Sequence, residues 1–224
     1  MAMRSKSRAN SLALRSVQFL DDNDLKLDTS AGEIRARYHR AATGYAVLWV
    51  FGSGGGLGGP AGGLYERLGS CIAAEGLAAS FQLDYRKPAH LPACVQDVLL
   101  GVEYLNSIGH DRIILVGHSF GGAVVISAGV RSTNVIGVAA LSSQTVGAGE
   151  VGDLSPKPLF VAHGEDDEIL PWSCSAAIFH NAGEPKTLKL YPNCRHGLDG
   201  CREELDRDLM DWLKTVWAVT SNPG

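Results

Sequence analysis

Five runs constrain this chain more than anything else in it. YAVLWVFG (45–52), LAASFQLDY (77–85), RIILVGHS (112–119), VIGVAALSS (135–143) and PLFVAHGED (158–166) are almost continuously apolar. A strand with one face in water alternates. A strand covered on both faces does not, and that is the condition of strands in a parallel sheet. Stretches with helical spacing separate or follow the runs: LYERLGSCIAAEG (64–76), LPACVQDVLLGVEYLNSIG (91–109), GGAVVISAGV (121–130) and EELDRDLMDWLKTVWAV (203–219). The second carries Val95, Val98, Leu99, Val102 and Leu105 on one side and stops at Gly109. The segment before the first run has another texture. LALRSVQFL, LKLDTS and EIRARYHR read as short strands, the last alternating Ile34, Ala36 and Tyr38 against charge, with turns at Asp-Asn-Asp and Ala-Gly. The pattern predicts an α/β fold: a mostly parallel, doubly wound sheet with antiparallel strands at its N-terminal edge.

The 224 residues, 45% of them hydrophobic, suffice for one core. We expect a single domain over residues 11–220 behind a flexible N-terminus of residues 1–10. That N-terminus is basic, serine-rich and free of acids until Asp21, the composition of an organelle transit peptide. The simpler reading is a frayed start running into a strand in which Leu12, Leu14, Val17 and Phe19 are half-buried. No apolar run approaches the roughly 18 residues of a membrane span, so no membrane partner is expected. The net charge of −4 and the lack of a long basic block argue against nucleic acid. Five cysteines (Cys71, Cys94, Cys174, Cys194, Cys201) are an odd count in a chain too long to need staples. Reduced thiols and a cytoplasmic location follow as expectations. Cys194 and Cys201 flank His196, but C-x-x-C spacing is absent, so no metal is expected.

The first apolar run opens into FGSGGGLGG, where Gly54, Gly56 and Gly59 fit G-x-G-x-x-G and Asp84 closes the next run. That is the outline of a dinucleotide site, with the acid ready for a ribose. Such a site usually follows the first strand of its domain, whereas about 45 residues of strand-like sequence come before this one.

A second motif is more specific. Gly117-His118-Ser119-Phe120-Gly121 fits G-x-S-x-G, follows a strand-like run and opens a helical one, which is the context the motif requires. A serine at such an elbow has a strained backbone, and glycines two residues either side remove the clashes. Downstream come an apolar run ending in His163-Gly164-Glu165-Asp166-Asp167 and the run LKLYPNCRHGL leading into His196. Nucleophile, acid and base thus follow in the order serine, carboxylate, histidine.

On these three motifs the chain resembles the α/β-hydrolase family over most of residues 45–217. It is most similar to small, lid-less members such as dienelactone-hydrolase-like proteins and carboxylesterases. The resemblance implies a Ser119–Asp167–His196 triad, the acid falling fifth in H-G-x-x-D, with Asp166 the alternative. It implies that His118 is not the base, and His163 reads as structural. It also gives the glycine loop a use: FGSGGG stands where esterases carry an HGGG-type sequence, with Phe51 in place of the histidine. The backbone N–H of Phe120, with that of Ser53 or alternatively Gly54, would then face the oxyanion. Asp84 becomes an anchor of its strand end, and Tyr85 and Arg86 read as structural more than as rim residues.

The implied reaction is acyl transfer through an acyl-enzyme, with no cofactor. Only TVGAGEVGDLSP separates the fourth apolar run from the fifth, so no cap domain fits, and small or medium esters, lactones or thioesters are the expected substrates. Gly54 and Trp172 are candidates for the substrate pocket, although Trp172 reads equally as the buried start of a helix. The alternative is a catalytically weak ligand-binding or interaction protein on the same fold.

Overall fold

The computed structural model describes residues 12–221. The predicted flexible N-terminus, residues 1–10, lies outside them. Three strands open the chain: β1 (Leu14–Phe19), β2 (Asp24–Thr29) and β3 (Gly32–His39). There follow β4 (Tyr45–Val50), α1 (Pro60–Ala74), β5 (Ala79–Asp84), α2 (Leu91–Ser107), β6 (Arg112–His118) and α3 (Phe120–Arg131). The rest is β7 (Val135–Leu141), β8 (Leu159–Gly164), α4 (Ser173–Asn181), β9 (Lys186–Tyr191) and α5 (Arg202–Ser221). They form one nine-stranded sheet in the order β1-β2-β3-β5-β4-β6-β7-β8-β9. β1, β2, β3 and β5 pair antiparallel, and every pairing from β5 through β4 to β9 is parallel.

The continuous apolar runs have the expected cause. In β4, Ala46, Leu48 and Val50 enter the core on one face, while Val47 and Trp49 enter a second core on the other. β6 does the same with Ile113 and Leu115 against Ile114 and Val116. Residues of α2, α3 and α4 close the first face, and those of α1 and α5 the second. At the antiparallel edge only one face is covered: Leu25, Leu27, Ile34, Ala36 and Tyr38 all belong to the first core, and there the sequence alternates.

Two of three local features differ from expectation, while the start of regular helix in α1 agrees with it. Leu12 and Val17 are partly buried against the core, but Leu14 and Phe19 are exposed at 36% and 45%, because β1 is an edge strand paired on one side only. α1 begins at Pro60, yet Ala61, Gly62 and Gly63 have left-handed dihedrals, so regular helix starts at Leu64. In the sequence α4 shows only as a candidate helix start at Trp172, since among its nine residues only Ser175 and Ile178 are buried and no apolar stripe forms.

Candidate active site

β6 ends at His118 and α3 starts at Phe120, leaving Ser119 at the corner with φ 57° and ψ −120°. Non-glycine residues rarely adopt a positive φ, and the surroundings must impose it. Here the Ser119 N–H donates to the Leu141 carbonyl at 2.8 Å, and the Ser119 carbonyl accepts from Gly122 N–H at 3.1 Å. The two motif glycines permit the close approach. A Cβ on Gly117 would lie 2.2 Å from the Gly121 carbonyl oxygen, and one on Gly121 would lie 2.3 Å from that of Phe51. Both obstacles are backbone, so neither can swing aside. Gly121→Ala should therefore destabilise the fold by about 3 kcal/mol, the upper range for overpacking, as a lower midpoint in urea unfolding.

Asp167 lies three residues beyond β8, in a turn that its own side chain caps. Its Oδ1 accepts from the N–H groups of Ile169 and Leu170, both at 2.8 Å. Its Oδ2 accepts from His196 Nδ1 at 2.8 Å. The His163 Nε2 lies 2.9 Å from the same oxygen. Burial pushes this carboxyl up, but the Leu170 N–H, the His196 ring and the Ile169 N–H together outweigh it and hold Asp167 below the usual carboxylate range. Asp167, not Asp166, is therefore the carboxylate at the imidazole; Asp166 is exposed. Among the described residues no hydrogen bond joins Ser119 Oγ to His196.

The loop carrying His196 is tied down on every side. The His196 N–H donates to Glu168 Oε2 at 3.2 Å, and His118 Nε2 donates to the His196 carbonyl at 2.9 Å. Ala61 N–H donates to the Gly197 carbonyl at 2.7 Å. A disulfide joins Cys194 to Cys201 around it. This corrects the expectation of five reduced thiols: Cys71, Cys94 and Cys174 are free, and the two that flank His196 are bonded to each other. Spacing alone could not reveal the pair, because it depends on the chain folding back between β9 and α5. The His118 ring stacks on Phe51 with centroids 5.4 Å apart and lies 4.8 Å from the His196 ring. Burial pushes the His118 imidazole down to about 4, so it stays neutral beside His196.

The glycine loop after β4 runs against the elbow: a Cβ on Gly52 would lie 3.5 Å from Ser119 Cβ. Gly55 N–H donates to the Gly52 carbonyl at 3.1 Å, closing a turn whose tip is Ser53 and Gly54, both exposed. Phe120 is the first residue of α3, so its N–H has no partner within the helix. The carbonyls that end β4 are pinned from below: Tyr65 Oη donates to Val50 at 2.7 Å and Tyr85 Oη donates to Phe51 at 3.2 Å. Asp84 holds the far side of the loop. Its Oδ1 accepts from Gly56 N–H at 2.7 Å and its Oδ2 pairs with Arg35 at 2.5 Å. The acid that a ribose would need is thus spent on the loop itself: Asp84 is an anchor, though of the glycine loop and of Arg35 on β3 and not of its own strand end alone. Asp84→Ala should cost about 1–3 kcal/mol, the loss of a charged acceptor for a part-buried N–H, measured as a fall in thermal midpoint. Arg86 is structural too: its Nε and N–H both donate to the buried Asp97.

Trp172 is neither buried nor enclosed. It is 44% exposed at the N-terminus of α4, and Ile169, five residues beyond the end of β8, is 64% exposed. A cavity of about 550 Å³ exists elsewhere, between the starts of β7, β8 and β9 and the last turns of α5. It lies at the opposite edge of the sheet and contains none of the residues above. Among the described residues no group of three or more His, Cys, Asp or Glu side chains is placed to hold a metal ion, and no helix is long and apolar enough to cross a membrane.

Comparison with known proteins bears on the family and the fold. Residues 95–211 match the model of the phospholipase/carboxylesterase family. The uncharacterized protein YfhR of Escherichia coli strain K12 is 26% identical over 148 residues, covering 52% of this chain and 52% of that protein. The chain therefore spans about half the length of the curated relatives it matches. Est1E from Butyrivibrio proteoclasticus superposes with a TM-score of 0.72 at 16% identity, over 88% of this chain and 100% of its own. An alpha-beta serine hydrolase homologue from Coxiella burnetii gives 0.73 at 15% identity, over 87% and 98%. At such identities the two structures speak for the fold alone. The family match spans more than half of the sequence and takes in the elbow, the acid turn and the histidine loop: the chain belongs to the phospholipase/carboxylesterase family of α/β hydrolases.

Proposed function

We propose that this protein is a serine hydrolase that cleaves small or medium carboxylic esters, with lactones and thioesters as related substrates. The observation that carries the reading is the 2.8 Å bond from His196 Nδ1 to a buried, ionised Asp167, on the same sheet edge as the strained Ser119. With Nδ1 protonated, Nε2 is the bare nitrogen and serves as the base.

In the proposed cycle Ser119 Oγ rotates about χ1 to donate its proton to His196 Nε2 as it attacks the ester carbonyl. Asp167 stabilises the imidazolium so formed. The N–H groups of Phe120 and of Ser53 or Gly54 receive the oxyanion, each donor lowering the barrier by about 3 kcal/mol in comparable sites. The imidazolium protonates the leaving alcohol, and water resolves the acyl-enzyme by the same steps in reverse. No metal or cofactor takes part. The short connection between β7 and β8 leaves this edge uncovered, which favours substrates that need no enclosing lid. Exposed Trp172 and Ile169 offer apolar surface to the bound ester.

Incubation with a fluorophosphonate probe, mapped by mass spectrometry, tests the reading. Modification at Ser119 together with hydrolysis of p-nitrophenyl acetate is expected. No labelling at Ser119 and no turnover of a panel of esters would leave a catalytically weak binding protein on the hydrolase fold as the better account.

A further inference from the structure

Behind the carboxylate stands a histidine that the proposed cycle does not use. His163 is the fifth residue of β8, and its side chain is wholly buried. Its ring is bonded at both nitrogens. Nε2 lies 3.0 Å from the Leu170 carbonyl and 2.9 Å from Asp167 Oδ2. Both partners are acceptors only, so Nε2 carries the proton; its hydrogen bond runs to the Leu170 carbonyl, with the Asp167 oxygen alongside. Nδ1 is then bare, and the buried Ser175 of α4 donates its hydroxyl to it at 2.7 Å. Burial pushes the His163 imidazole down despite the adjacent Asp167, which keeps it a neutral, fixed donor.

Asp167 Oδ2 therefore accepts the Nδ1–H of His196 in front and has the protonated Nε2 of His163 at 2.9 Å behind it. We propose that His163, held in its tautomer by Ser175, is a positioning residue that aims Asp167 Oδ2 at His196 and moderates how strongly the carboxylate holds the imidazolium. This rests on the serine-hydrolase reading for its effect on rate. Its electrostatic part stands on geometry alone.

The physical consequence is directional. A carboxylate oxygen with the positive end of a neighbouring N–H dipole beside it is a weaker acceptor for the bond it makes to His196. Removing the His163 donor lets Asp167 bind the His196 N–H more tightly and favours the charged ring. It also frees the carboxylate to rotate out of line with Ser119. The other ionisable groups facing the pair are the His118 ring at 4.8 Å from His196 and Glu168, which accepts from the His196 N–H and pairs with Arg195 at 3.2 Å. Neither His118 nor Glu168 is hydrogen-bonded to His163.

The test compares His163→Leu, which fills the space without a donor, with His163→Gln, whose amide N–H reaches the place of Nε2. In the leucine variant kcat/KM is expected to fall roughly tenfold, as for other partners that orient a reacting group from behind. The acidic limb of its pH profile should move to higher pH. The glutamine variant should recover most of both. Ser175→Ala gives an independent check, since it loosens the tautomer without touching Asp167, and should lower kcat with KM unchanged. Proton NMR of the low-field Nδ1–H of His196 needs no substrate. Its resonance should shift in His163→Leu and return in His163→Gln. A folded leucine variant with unchanged pH profile and unchanged resonance would overturn the proposal. If the leucine variant does not fold, a Ser175→Ala variant with wild-type kcat and resonance would do the same. A wild-type protein that shows the low-field proton but hydrolyses no ester would instead defeat the serine-hydrolase reading and leave the hydrogen-bond pair intact.

Discussion

Ser119→Ala should lower ester hydrolysis by at least about 10⁴-fold in kcat, the scale on which a nucleophile that acts with its base and acid fails when removed. The expected residual rate is that of an oxyanion pocket acting on water alone. The fold should be unaffected, since alanine keeps the Cβ, the backbone bonds from Ser119 to Leu141 and Gly122, and the glycine clearances on either side. Fluorophosphonate labelling should vanish with the activity. A variant that melts like the wild type and retains more than about one per cent of its rate would exclude Ser119 as nucleophile, because no partner residue could carry a loss so small.

Asp167→Asn should cost about 10⁴-fold in kcat, and the hydrogen-bond pattern says why. Oδ1 accepts two backbone N–H groups, so the asparagine must keep its carbonyl oxygen there. Its NH₂ then takes the place of Oδ2 and faces His196 and His163, both of which now present N–H groups. His196 can meet an amide donor only by baring Nδ1, and the proton then sits on Nε2, where it cannot accept from Ser119. Asp166→Asn should stay within about twofold of the wild type, because Asp166 is exposed and makes no such contact. The reverse ranking would move the acid to Asp166. Stability carries a matching signature. Asp167 titrates below its ordinary value of 3.8, so its contribution is complete above that value and is lost as pH falls through the lower, folded one. The asparagine variant should show no such loss.

The sheet was legible because its physics is local. Runs such as RIILVGHS are apolar throughout since both faces of β6 are covered, and EIRARYHR alternates since β3 has one covered face. The elbow was legible because the G-x-S-x-G spacing states a steric requirement that Gly117 and Gly121 visibly meet. What stayed hidden depends on the path of irregular loops and on how elements pack, not on local periodicity. The bond between Cys194 and Cys201 arises from the path of the loop. The Ser175 contact to His163 needs α4 to pack on β8, and α4 itself buries too little to leave a periodic trace. Asp84 had a motif-level role as a ribose acid. Its actual work, holding Gly56 and Arg35, shows only when the loop is seen to curl back over the end of β5. Trp172 could not be placed, because exposure at a helix start leaves no pattern in sequence.

The clasp at Asp84 makes the outer hairpins of the sheet part of the reactive edge. Arg35 belongs to β3, yet it grips the same carboxylate that steadies the glycine turn beside Ser119. Force applied to that hem, by charge reversal at Arg35 or by any partner that tugs on β3, is transmitted through one side chain to the backbone beside Ser119. Libraries seeking altered turnover would do well to sample this remote strand, where substitutions leave the pocket's own surface untouched.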